Sequence, residues 1–116
     1  MTEPTHADIE AMAIRAFDAL PAEIRARIAN LGFAIEDEPP EGKHWLATYQ
    51  GIPYTRRAHN RPFEFPHKIT IYRGPLLRIC GDDPVMLERE MDHIIRHEIA
   101  HYFGITDERL IEIDRY

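Results

Sequence analysis

The chain has 116 residues, of which 44% are hydrophobic and 29% charged, and a formal charge of −6. That length matches one ordinary domain, able to bury roughly two-thirds of its unfolded surface without a disulfide framework. The single cysteine, Cys80, excludes an internal disulfide and a four-thiolate zinc site, and the acidic balance argues against nucleic acid as a partner.

The expectation is a single domain spanning residues 1–116, with no low-complexity tract or internal repeat. The opening MTEPTHADIEAM has an acidic residue where a signal peptide would be basic, and no apolar run reaches membrane-spanning length. A cytoplasmic location without membrane contact is therefore expected.

In THADIEAMAIRAFDAL, Ile9, Met12, Ala13, Ala16, Phe17 and Leu20 recur at three- and four-residue spacing, and Thr5 with Asp8 has the form of a capping box. This predicts an amphipathic helix. Pro21 stops it and can open a second helix, PAEIRARIAN, with Ile24 and Ile28 inward, so that an N-terminal helical hairpin results.

FAIEDEPPEG reads as a short strand running into a loop at Pro39, Pro40 and Gly42, and WLATYQGIP as a second strand. The segment from Pro53 to Pro66 has little periodicity and reads as loop; its Arg56, Arg57 and Arg61 fit a solvated surface better than an anion pocket. KITIYRG, β-branched and aromatic, is the clearest strand, and GPLLRIC a short helical turn after it.

Asp83 followed by Pro84 marks the start of a long helix: an N-cap oxygen, then a residue whose missing N–H costs nothing there. The helix is predicted to run to about Phe103 and stop at Gly104. At 100° per residue, His97 and His101 lie one turn apart on one face, so both imidazoles can converge on one ion, with Glu98 on the flank of that face. Met91, Ile95, Ile99 and Tyr102 fall on the opposite side and give the helix a separate reason to be buried.

His-Glu-x-x-His on a helix is a zinc pattern in which two histidines hold the metal and the glutamate takes a proton from the water that the metal activates. Gly104 can reverse the chain and bring Asp107 back as a third ligand; Asp107 or Thr106 can instead cap a last short helix, DERLIEI, which leaves Glu108 and Glu112 as substitutes. The metal set is thus His97, His101 and Asp107, the cofactor zinc, and the general base Glu98. His93, one turn earlier, is expected to be solvated or to stand behind the ligands. His6, His44, His59 and His67 are expected at the surface or in structural roles.

These segments resemble the small bacterial minimal zincins. The resemblance rests on FAIEDEP after a helical hairpin, YQGIP followed by TRR, ITIYRGPLLRIC, and HEIAHYFGITDERL, in that order. It implies an α+β, minimal zincin-like fold: a small mixed β-sheet beside a long active-site helix and a short C-terminal helix. It also implies KITIYRG as the edge strand on which substrate peptide pairs. A metzincin would carry a third histidine at the position of Asp107 and a methionine turn, whereas no methionine follows Met91. The oxyanion donor stays open among Tyr72, Tyr102, Arg109 and Tyr116.

Three functions compete. The leading one is zinc-dependent hydrolysis of peptide bonds in a peptide or protein substrate. The second is a non-catalytic zinc domain that binds another protein, and the third a zincin-like hydrolase acting on RNA, which the acidic charge disfavours.

Overall fold

The computed structural model describes residues 3–28, 30–51 and 67–104. Helix α1, His6–Asp18, begins at the predicted capping box: Thr5 Oγ1 accepts from the Asp8 N–H at 3.2 Å and the Thr5 N–H donates to Asp8 Oδ2 at 2.9 Å. Its inward face is Ile9, Met12, Ala13 and Ala16, all buried.

The second arm of the hairpin is one turn only, α2, Ala22–Arg25, with Pro21 at the N-cap. Two features account for the shortening of the predicted PAEIRARIAN helix. The turn has no side-chain cap, and although Ile24 and Ile28 point inward as expected and pack against the core, they are only partly buried, so a longer helix there has little to offset its nucleation cost. Arg25 instead donates from Nε to the Leu20 carbonyl at 3.0 Å, and Asn30 adopts a left-handed φ of 57° before the first strand.

Three strands form one mixed sheet: β1, Leu31–Glu36, β2, Ala47–Gln50, and β3, His67–Tyr72, in the order β1-β3-β2. β3 pairs in parallel with β1, Ile69 opposite Phe33 and Ile71 opposite Ile35. It pairs antiparallel with β2, Ile69 opposite Tyr49 and Ile71 opposite Ala47. The expectation that KITIYRG is the edge strand is therefore corrected: β3 is central. Five of its six residues are buried, as a strand flanked on both sides should be, and only Lys68 is exposed.

Helix α3, Arg73–Cys80, follows β3 without a loop and is a fuller helix than the short turn expected of GPLLRIC. Gly74 makes the junction possible. Its N–H donates to the Asp37 carbonyl at 2.8 Å, and a Cβ there would stand 2.7 Å from that same oxygen and collide with the Glu38 carboxylate.

Helix α4, Pro84–Tyr102, starts as the sequence predicts, with Asp83 Oδ1 accepting from the N–H groups of Val85 at 3.0 Å and Met86 at 3.4 Å. Phe103 is its C-cap, and Gly104 follows at φ 81°. Leu87, Met91, Ile94, Ile95 and Ile99 of α4 share one core with Ile9, Met12 and Ala13 of α1 and Ile69 and Ile71 of β3. The sheet and α1 thus clamp one side of α4 and leave another side for chemistry. Among the described residues no helix is long and apolar enough to cross a membrane.

Candidate metal centre

Local sequence decides where the two faces of α4 point. Met91, Ile95, Ile99 and Tyr102 are buried, as their spacing predicts, and this holds the helix in a fixed rotation. That rotation turns His97 and His101, with Glu98 at the boundary of the buried face, into a cleft of about 550 Å³ whose walls include Trp45, Tyr49 and Tyr72. β2 is the strand that faces the helix across this cleft.

His97, Glu98 and His101 each offer a ligand atom, and these atoms all lie within 4.8 Å of one another. The two histidines are half-buried, and Glu98 is only 7% exposed, an unusual depth for a carboxylate. The Nε2 atoms of His97 and His101 stand 3.2 Å apart, with ring centroids 4.9 Å apart and planes at 59°. Two nitrogens each about 2.0–2.1 Å from a tetrahedral ion are about 3.3 Å apart by that geometry. The observed separation therefore matches the spacing of two ligands on one zinc-sized ion.

The other sequence-predicted residues separate into groups. His93 is exposed, its ring centroid 6.3 Å from that of His97, and it is not among the clustered ligand atoms. His6 is exposed and pairs with Asp37 at 2.7 Å, and His44 is exposed at the rim of a second cavity. Asp107, Glu108, Glu112, Arg109 and Tyr116 lie outside the described residues, as do His59 and Arg56, Arg57 and Arg61.

His67 is no surface residue. It is 1% exposed at the start of β3, stacks on Tyr49 with centroids 5.8 Å apart, and shares a 2.6 Å hydrogen bond between its Nδ1 and the Tyr49 hydroxyl. Tyr102 packs edge-on against both rings, its hydroxyl 3.5 Å from the Arg27 carbonyl. Its complete burial withdraws it from the candidate oxyanion donors. Tyr72 does line the cleft, with its hydroxyl 3.3 Å from Thr48 Oγ1. Strand alternation and the β2–β3 register put Thr48 and Tyr72 on the sheet face opposite Tyr49.

Sequence reasoning missed two wall residues, Tyr49 and Trp45. Alternation within WLATYQ marks their faces, but only the strand order shows that β2 borders the metal ligands.

A family model for zincin-like metallopeptidases matches residues 28–116, a span that contains β1, β2, β3 and the whole of α4. A conserved hypothetical protein from Thermus thermophilus is similar in structure, with a TM-score of 0.59 at 19% identity, covering 86% of this chain and 94% of that one. That likeness shows a shared fold. No curated protein matches. The α+β architecture and the matched span agree, and the chain belongs to the zincin-like metallopeptidase family.

Proposed function

We propose that the protein is a zinc-dependent hydrolase of peptide bonds, with His97, His101 and Asp107 holding the ion and Glu98 as general base. The observation that carries this reading is the buried Glu98 carboxylate beside two imidazoles whose Nε2 atoms are spaced for one ion, all opening on a cleft. A bound zinc would supply a Lewis acid that polarises the scissile carbonyl and acidifies water toward a pKa of roughly 7.

The chain's own residues do the rest. His97 and His101, held at a fixed angle by the packed face of α4, present their imidazole nitrogens to the cleft. Glu98 takes a proton at a carboxylate oxygen and returns it to the leaving amine, a transfer worth roughly 10²–10⁴ in rate. Its burial removes competing water and strengthens its interactions with charge that develops nearby. β2 offers the cleft a strand that, among the described residues, pairs on one side only, with β3; an extended peptide can add to the other side through main-chain hydrogen bonds.

The experiment compares Glu98→Gln with the unaltered protein for zinc content and for cleavage of a broad peptide mixture. The expected result is one zinc in both proteins and a loss of roughly 10² or more in turnover in the variant. Equal turnover removes Glu98 from this role. Zinc retained with no cleavage by the unaltered protein would make the ion a structural clamp in a protein-binding domain.

A further inference from the structure

A second cavity, of about 300 Å³, adjoins the first. The two share four lining residues, Trp45, Ala47, His97 and Glu98, and diverge from there. The larger continues along Thr48, Tyr49, Gln50 and Tyr72, rich in hydroxyl and amide groups. The smaller continues between Leu46 and Ile94 toward His44 and His93. Glu98 thus stands where the two meet, and a chain laid along the cleft with one bond at Glu98 places the groups flanking that bond in different cavities.

Trp45 belongs to both walls. It is 40% exposed, and it is the only aromatic among the large hydrophobic side chains exposed within the described residues. The others, Ile14, Ile79, Val85 and Met86, lie on α1, α3 and α4 and line neither cavity. An indole left this open at a site is well suited to contact a ligand, because it offers a large apolar face at low entropic cost. The Lys43 ammonium lies 5.3 Å from its ring centroid, a cation–π contact that favours the rim orientation.

We propose that Trp45 is the specificity-determining residue of the cleft, and that it selects peptides with a bulky apolar side chain next to the bond presented to Glu98. That side chain occupies the smaller cavity against Trp45, Leu46 and Ile94. The larger cavity, which adds the hydroxyl and amide groups of Thr48, Tyr49, Gln50 and Tyr72 to its apolar walls, accepts the residue on the other side of the bond with less discrimination. This inference rests on the hydrolase reading for the position of the bond; the contact with Trp45 stands apart from it.

Zinc-loaded full-length protein is incubated with a degenerate decapeptide pool, and cleavage positions are read by mass spectrometry for the unaltered chain, Trp45→Ala and Trp45→Phe. The expected profile favours Phe, Leu or Trp beside the cleaved bond over Gly or Ser by roughly tenfold or more, the discrimination an apolar pocket can provide. Trp45→Ala flattens that preference and Trp45→Phe keeps it. A profile unchanged in Trp45→Ala, or a preference for small residues, overturns the inference.

Trp45 is the only tryptophan in the chain, so its emission reports on the cleft without an added probe. In Glu98→Gln protein, a decapeptide pool with a fixed central Phe is expected to shift that emission, and a matched pool with central Ser to leave it unchanged at equal concentration. If no protein cleaves any peptide but the emission responds in this way, the hydrolase reading fails and the apolar subsite stands. If neither pool changes the emission, the subsite itself is rejected, whatever the cleavage assay shows.

Discussion

The hydroxyl of Tyr49 and the Nδ1 of His67 meet at 2.6 Å, joining a residue on the cleft wall to a histidine that is 1% exposed. The bond crosses diagonally from β2 to β3 on the sheet face that carries Ile69 and Ile71. It therefore ties the strand beside the metal ligands to the centre of the sheet. Gly51 closes over the pair, since a Cβ there would lie 2.9 Å from the Tyr49 hydroxyl and would overlap the His67 ring.

Removing the hydroxyl tests that tie. Tyr49→Phe keeps the ring stacking and loses a part-buried hydrogen bond, so unfolding free energy is expected to fall by about 1 kcal/mol in a denaturant titration. A change under about 0.3 kcal/mol would show that the bond contributes nothing net to the sheet.

The metal set makes a separate prediction. His97→Ala and His101→Ala each remove one of two nitrogens spaced 3.2 Å apart, and elemental mass spectrometry of untagged protein is expected to show about one zinc in the unaltered chain and a large loss in both variants. Because a metal takes only deprotonated imidazole, proton competition should weaken zinc affinity as the solution is acidified. Equal zinc content in all three proteins, or an affinity unchanged at about pH 5, would exclude a two-histidine site.

Acid sensitivity is expected at the end of β1. A bidentate pairing with Arg78, at 2.9 and 3.0 Å, holds the Glu38 carboxyl below its ordinary range, and a hydrogen bond from His6 does the same for Asp37. A carboxylate whose folded pKa is depressed stabilises the fold above its unfolded pKa, near 4, and that stabilisation is lost as pH falls through the lower folded value. Both pairs are exposed, so the effect is small and screened by salt. Arg78→Met is therefore expected to be slightly less stable than the unaltered protein at neutral pH and low salt, and the gap should close on acidification below about pH 4. A gap that persists at about pH 2 would assign the loss to packing of the arginine stem.

What the sequence determined by itself is the helix that carries the chemistry. Asp83 and Pro84 start it, Gly104 ends it, and the spacing of Met91, Ile95, Ile99 and Tyr102 assigns its buried side, which leaves His97 and His101 together on another and the buried Glu98 at the boundary between the two. Each of these signals acts within a few residues, through a cap, a missing N–H, a permitted φ or a 3.6-residue period. The three strands were legible as strands for the same reason. Their order was not, because β1 and β3 are paired across a long stretch of chain, and alternation marks a strand's faces without naming its neighbours. Only the tertiary structure made β3 central and β2 the wall of the cleft, buried His67 against Tyr49, and set Trp45 between two cavities. Those contacts join residues distant in sequence, and their formation depends on how the elements pack, which no local pattern encodes.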